Sequence, residues 1–164
     1  MINAIVAVDC WWGIGRNNDL LFHLKKDMEF FKEKTLNHTV LMGENTLLSM
    51  PNSKPLKNRT NVVLCPEGHE YEGCICFHNF EDIVDFAKTK AQTEELFVIG
   101  GARFYASMLD YCDRLYITKV AADGQAEVFF PEIDNDSRFV CVSESETIED
   151  NGYLIRFCIY ERRA

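Results

Sequence analysis

The chain has 164 residues, 47% of them hydrophobic and 26% charged, with a formal net charge of −9. Its length suggests one domain with a core large enough to fold without disulfide or metal staples, and its composition excludes disorder, collagen-like repeats and coiled coil as the main architecture. The acidic balance excludes a general attraction for nucleic acid or anionic membrane, and no apolar run approaches the roughly 20 residues of a membrane span.

Residues 2–9 read as a buried strand rather than a secretion signal, since no basic region precedes the apolar stretch. Residues 10–23, with Gly13, Gly15, Asn17 and Asn18, read as a long loop. Residues 24–35 have helical periodicity, 39–43 form a strand, and a short helix runs from Glu44 to about Met50. Pro51, Asn52, Ser53 and Pro55 then break the chain. Residues 60–65 and 74–78 are strand candidates and 80–90 a helix. The apolar run 96–100 passes through Gly101 into a helix ending near Leu109. Residues 114–120, 138–145 and 153–161 are strands, the last two joined by a hairpin signal at 149–152. This order predicts a single-domain α/β fold over residues 1–164: a mixed, mainly parallel central sheet flanked by helices, with an antiparallel C-terminal hairpin. Seven cysteines, odd in number and scattered from Cys10 to Cys158, suit free thiols in a reducing cytoplasm.

Four features carry chemistry. On the 24–35 helix, Leu24, Met28, Phe30 and Phe31 make an apolar stripe, and at about 100° per residue Asp27 falls inside it. A carboxylate there is partly desolvated, which raises its pKa; the plainer reading is a first-turn acid favoured by the helix dipole. The Gly100–Gly101 pair ends a buried strand just before a helix, either as a surface that a phosphate or flat ring can approach or as a tight turn. Gly43 opens a second helix in the same way, with Thr46 as a donor, but Glu44 there repels a phosphate. Cys65, His69, Cys74, Cys76 and His78 have no zinc-ligand spacing, so small residues in a sheet with exposed histidines are the better reading. Cys10 has no nearby histidine to make it a nucleophile. Trp11–Trp12 is either a cover over a site or a loop anchor.

Taken together, D-x-x-x-G-I-G-x-x-N (9–18), L-x-x-D-M-x-x-F-K-x-x-T (24–35), V-L-M-G-x-x-T (40–46), I-G-G-x-x-x-Y (99–105), F-F-P (129–131) and the terminal E-R-R resemble the dihydrofolate reductases, in order and from residue 2 to residue 163. The resemblance implies hydride transfer from NADPH to C6 of dihydrofolate, with a proton to N5, and antifolate inhibitors as further small-molecule partners. It makes Asp27 the single acid of the site, oriented by the Thr118 hydroxyl, and counts Phe22 and Leu20, the latter also a wall of the ring site, among the catalytic positions. Ile5, Ala7, Met28, Phe31, Met50, Leu56 and Ile99 match the walls around the substrate rings, and Arg59 matches the arginine that grips its glutamate tail. Ala7, Ile14, Gly43, Glu44, Asn45, Thr46, Leu64, Cys65, Gly100, Gly101, Arg103, Phe104 and Tyr105 match positions around the cofactor. The resemblance also implies a cis Gly100–Gly101 peptide and a mobile 11–24 loop. From charge, ligand spacing and cysteine usage, no metal and no nucleic-acid or membrane partner are expected, and the chain is expected to be a cytoplasmic monomer.

Three departures stand out. Leu21-Phe22 replaces the usual Pro-Trp, so Phe22 keeps the shape and loses an indole N–H. Glu44 replaces a basic residue, and Cys65-Pro66 replaces hydroxyl or basic ones, where the family holds the 2′-phosphate of NADPH. Each lost contact is worth roughly 1.5–3 kcal/mol, so weak discrimination against NADH is expected. A pyrimidine reductase of the riboflavin pathway with the same sheet would not need Asp27, Phe31 and Thr118. A non-catalytic metal or folate-binding module would have only the 65–78 cluster as metal support.

Overall fold

The computed structural model describes residues 1–164. The chain divides into two compact units, one of Met1–Ala4 and Thr35–Cys112, the other of Ile5–Lys34 and Asp113–Ala164. Strand β1 (Ile2–Val8) contributes its first residues to one unit and its last to the other. The architecture is the expected mixed, mainly parallel sheet with helices and an antiparallel C-terminal hairpin.

In the first unit, strands β3 (Thr39–Gly43), β4 (Thr60–Leu64), β5 (Cys74–Phe77) and β6 (Leu96–Gly100) pair in parallel in the order β1-β6-β3-β4-β5. Val40, Leu41, Met42, Val62, Val63, Leu96 and Val98 are fully buried, because parallel strands covered on both faces read as continuous apolar runs. Burying each such side chain is worth about 1.5–3 kcal/mol. Helices α2 (Glu44–Ser49), α3 (Phe80–Lys90) and α4 (Ala102–Met108) follow β3, β5 and β6. Asn79 caps α3 by accepting the Asp82 N–H at 3.0 Å, while α3 packs Ile83, Val84 and Ala87 inward.

In the second unit, β7 (Arg114–Val120) and β11 (Tyr153–Arg162) are antiparallel. The edge of β11 away from β7 carries β10 (Ile148–Asp150) and then β9 (Phe139–Glu144), both antiparallel. The turn at Asn151 and Gly152 is as expected, with positive φ at both (52° and 83°). The segment 138–145 does not itself close the hairpin, however. The chain breaks after β9, Ser145 Oγ accepts the Phe157 N–H at 2.9 Å, and the short β10 completes the turn.

A further difference lies in 10–23, expected to be loop throughout. Strand β2 (Gly13–Gly15) pairs with β8 (Val128–Phe129) as a separate two-stranded antiparallel sheet. Helix α1 (Lys25–Thr35) is also less buried than its pattern implies. Leu24 just before it is buried beside Val120 and Ile155, but Met28 is 55% exposed. No helix is long and apolar enough to cross a membrane.

Candidate active site

Helix α1 begins without Ser, Thr, Asp or Asn before it, so its first N–H groups lack a local cap. The cap comes from the hairpin: the buried Asp150 carboxylate accepts from the backbone N–H groups of Lys25 (3.1 Å), Lys26 (2.8 Å) and Asp27 (3.3 Å). Lys26 Nζ donates to the Glu149 carbonyl and Asn151 Nδ2 to the His23 carbonyl, tying the same two segments together. Phe30 packs on Phe157 and Tyr116 and orients the helix.

Asp27 thereby faces β7, where the buried Thr118 hydroxyl donates to its Oδ1 at 2.6 Å. Burial is the largest influence on the Asp27 carboxyl and raises its pKa; the Thr118 hydrogen bond opposes this, and the Asp150 charge adds to it. Both readings of Asp27 hold, since it is a first-turn acid and a desolvated one.

The same unit holds Ile5, Ala7, Ile14, Leu20, Phe22, Met28 and Phe31. Ile5 is buried on β1, Ala7, Ile14 and Phe31 are half-buried, and Leu20 and Met28 are exposed. Phe22 packs edge-on against Tyr153 with centroids 4.7 Å apart. Gly124 makes room for it, since a Cβ there would lie 2.9 Å from Leu21 Cδ1 and 3.1 Å from Phe22 Cζ.

Residues 9–17 are held by Asp9, the acid that opens the D-x-x-x-G-I-G motif. Asp9 is buried; its Oδ1 accepts from Trp11 N (2.8 Å) and Gly13 N (2.7 Å), and its Oδ2 from Gly124 N (3.0 Å). Glu127 accepts from Asn17 N at 2.7 Å and donates its own N–H to the Gly15 carbonyl at 2.8 Å. The tryptophan pair divides: Trp12 sits under the Lys119 ammonium, 5.3 Å from its ring centroid, while Trp11 is 67% exposed.

In the first unit, β3 and β6 end side by side, with Met42 in register with Gly100. A Cβ on Gly43 would lie 3.9 Å from the Gly100 carbonyl oxygen, and one on Gly100 would lie 3.0 Å from Thr46 Oγ1. Gly100 has φ 133°, which favours glycine, and the Gly100–Gly101 peptide is cis. Gly100 is buried, while Gly43 and Gly101 are half-buried and leave bare backbone with the Thr46 hydroxyl near Gly101. Arg103 and Asn45 are exposed and Ile99 half-buried, but Phe104, Tyr105 and Cys65 are buried and offer little surface.

The Glu44 carboxylate is engaged. It accepts from the Tyr71 hydroxyl at 2.6 Å and pairs with His69 Nδ1 at 2.5 Å. The Tyr71 bond and then the His69 bond hold it below the usual carboxylate range, and the same bond pushes the Tyr71 hydroxyl up to about 12. Cys65 donates to the His69 carbonyl at 3.3 Å, its thiol pushed up to about 11 by burial, and all seven cysteines are free. No three His, Cys, Asp or Glu side chains converge on a point in the 65–78 segment or elsewhere.

Arg59 lies in a loop braced by Asn61, a residue the sequence reading missed. Buried on β4, Asn61 accepts from Leu56 N (3.0 Å) and donates to the carbonyls of Leu56 (2.9 Å) and Arg59 (3.2 Å). Arg59 Nε donates to Thr35 Oγ1 at 3.1 Å and Nη1 to the Lys57 carbonyl at 2.8 Å. The only signal was a polar residue in an otherwise apolar strand. Met50 and Leu56 are half-buried nearby in sequence, and Leu64 ends β4.

Residues 1–162 match the family model described as dihydrofolate reductase. The dihydrofolate reductase of Bacillus subtilis is 37% identical over 166 residues, 99% of this chain and 95% of that protein. That of Haemophilus influenzae is 32% identical over 162 residues, 98% of each. A solved structure of dihydrofolate reductase from Enterococcus faecalis complexed with NADP(H) and RAB-propyl matches with a TM-score of 0.89 at 33% identity, covering 100% of this chain and 97% of that one. The chain belongs to the dihydrofolate reductase family, and it is an oxidoreductase.

Proposed function

We propose that this chain reduces 7,8-dihydrofolate to 5,6,7,8-tetrahydrofolate with NADPH, and that residues 1–164 act as one catalytic domain. The observation that carries this reading is the Asp27 carboxyl, half-buried on α1 and fixed by the Thr118 hydroxyl at 2.6 Å. NADPH, when bound, supplies the hydride. Asp27 hydrogen-bonds the 2-amino and N3 side of the pterin and favours the substrate protonated at N5. A carboxyl whose pKa burial has raised holds its proton nearer to neutral pH than an exposed aspartate does. In one unit the exposed Leu20 and Met28 and the half-buried Phe31 supply apolar surface for a flat ring, and in the other the half-buried Met50 and Leu56 do. Arg59, its guanidinium oriented by Thr35 and the Lys57 carbonyl, pairs with the carboxylate of the glutamate tail.

The bare backbone at Gly43 and Gly101 fits a cofactor, because a Cβ at Gly43 would meet no atom closer than 3.9 Å and one at Gly101 only Thr46 Oγ1 at 3.5 Å, while Gly100 packs against Thr46 and Tyr105. Thr46 and Arg103 would serve the pyrophosphate. Glu44 fits a 2′-phosphate poorly, so discrimination between NADPH and NADH is weak. Glu44→Arg is expected to tighten NADPH binding more than NADH binding in fluorescence titrations. An equal effect on both would remove position 44 from cofactor choice. Free thiols support a reducing cytoplasmic setting. We take the chain to act as a monomer and to bind antifolates in the same site.

The direct test of the site is Asp27→Asn. Folding and cofactor binding should survive while turnover at neutral pH falls about 100-fold or more, the scale of a lost proton-transfer group. Near-normal turnover across the pH range would remove Asp27 from the mechanism.

A further inference from the structure

The C-terminal hairpin reaches the acid of the proposed site by a route that the reaction itself does not require. Asp150 lies 123 residues from Asp27, yet its carboxylate is the acceptor for the first three N–H groups of α1, the Asp27 N–H included. It is buried, so its charge acts on Asp27 through little solvent. It is also fixed, because Asn151 and Glu149 bind the residues on either side of the helix start.

We propose that Asp150 is a positioning residue for Asp27: from the hairpin it caps α1, sets the direction from which Asp27 meets Thr118, and places a like charge behind the carboxyl. The functional part of this inference rests on the catalytic reading of Asp27. Two physical effects follow, and they are separable. The cap satisfies N–H groups that would otherwise be orphaned at the helix start. The charge disfavours ionisation of Asp27, in the same direction as burial and against the Thr118 hydrogen bond. The groups facing Asp27 are thus the Thr118 hydroxyl from β7 and the Asp150 carboxylate from the hairpin, with Lys26 of its own helix turned to the Glu149 carbonyl. The turn that holds Asp150 has the Asn-Gly chemistry of a tight hairpin, so the position of the charge is set by local backbone geometry.

The test compares Asp150→Asn, Asp150→Ala and Glu149→Gln in the full-length chain. For each, the Asp27 carboxyl is titrated by carbon NMR and the pH profile of dihydrofolate turnover is recorded. Asp150→Asn keeps an acceptor oxygen and removes the charge. Its Asp27 midpoint should move to lower pH, its turnover should decline at lower pH than in the parent, and its melting temperature should change little. Asp150→Ala should show the same shift and also lose melting temperature. Glu149→Gln removes an equally charged but exposed neighbour and should leave the midpoint where it was. An unmoved Asp27 midpoint in Asp150→Asn, or an equal shift in Glu149→Gln, overturns the proposal. Because the NMR titration does not depend on turnover, it still decides the link between the two carboxyls if Asp27→Asn proves active and the catalytic reading fails.

Discussion

Asp27 shows how a functional residue costs stability. Its carboxyl has an ordinary value of 3.8 that burial raises in the folded chain. Between the unfolded and folded values, the folded chain keeps a proton that the unfolded chain has released. Stability therefore falls as pH rises through that window, and the full penalty applies above the folded value. Asp27→Asn retains an acceptor for Thr118 and removes the penalty. Its melting temperature should exceed the parent's at neutral pH, and the difference should vanish below the ordinary value of the carboxyl. Thermal denaturation at the two pH extremes checks this, and a variant less stable than the parent at neutral pH would contradict the burial argument. The type of this residue and its place on an apolar helix face were legible in the sequence. Its hydroxyl partner Thr118 came only through the family resemblance, because the two lie 91 residues apart. Asn61 and Asp150 were not legible as site residues, since each acts by hydrogen bonds to backbone brought near only by folding.

At the scale of elements, periodic segments were easy to read and short ones were not. β3 and β6 carry apolar runs of three and four residues, and β4 and β7 carry the apolar stretches 62–64 and 115–117, as burial demands. β2 and β8 have three and two residues, too few to show an alternation. They are specified by close approach. A Cβ on Gly13 would lie 2.3 Å from Ala126 Cβ and 2.9 Å from both Asp9 carboxylate oxygens. Gly13→Ala must therefore push β2 off β8 or expel Asp9 from its three backbone donors. Overpacking of this kind costs about 1–3 kcal/mol. The expected outcome is a lower urea midpoint and faster proteolysis within residues 10–22. A midpoint equal to the parent's would mean that the Asp9 clamp does not hold this segment. The break after β9 was illegible for a related reason. Residues 138–145 look like one half of a hairpin, and only the Ser145 hydroxyl bonded to Phe157 N–H shows that the ladder is interrupted.

Over the whole molecule, a charge of −9 sits with ligands that are themselves anionic, so recognition must be local. The structure supplies local means: one oriented guanidinium at Arg59 and a bare backbone at Gly43 and Gly101. Glu44 runs against this trend, although Tyr71 and His69 already occupy its carboxylate. The sequence order of strands and helices, together with motifs spread from residue 2 to residue 163, was enough to name the family and the sheet. The support behind the motifs needed three dimensions, because Asp9, Asn61 and Asp150 hold backbone in place and leave no recurrent pattern. The central claim is that this scaffold reduces dihydrofolate. Its most direct test is the loss of reduced-nicotinamide absorbance on purified protein, with and without dihydrofolate, run with NADPH and with NADH. The account predicts oxidation that requires dihydrofolate, proceeds with NADPH, and retains appreciable activity with NADH. No dihydrofolate-dependent oxidation with either cofactor would contradict it.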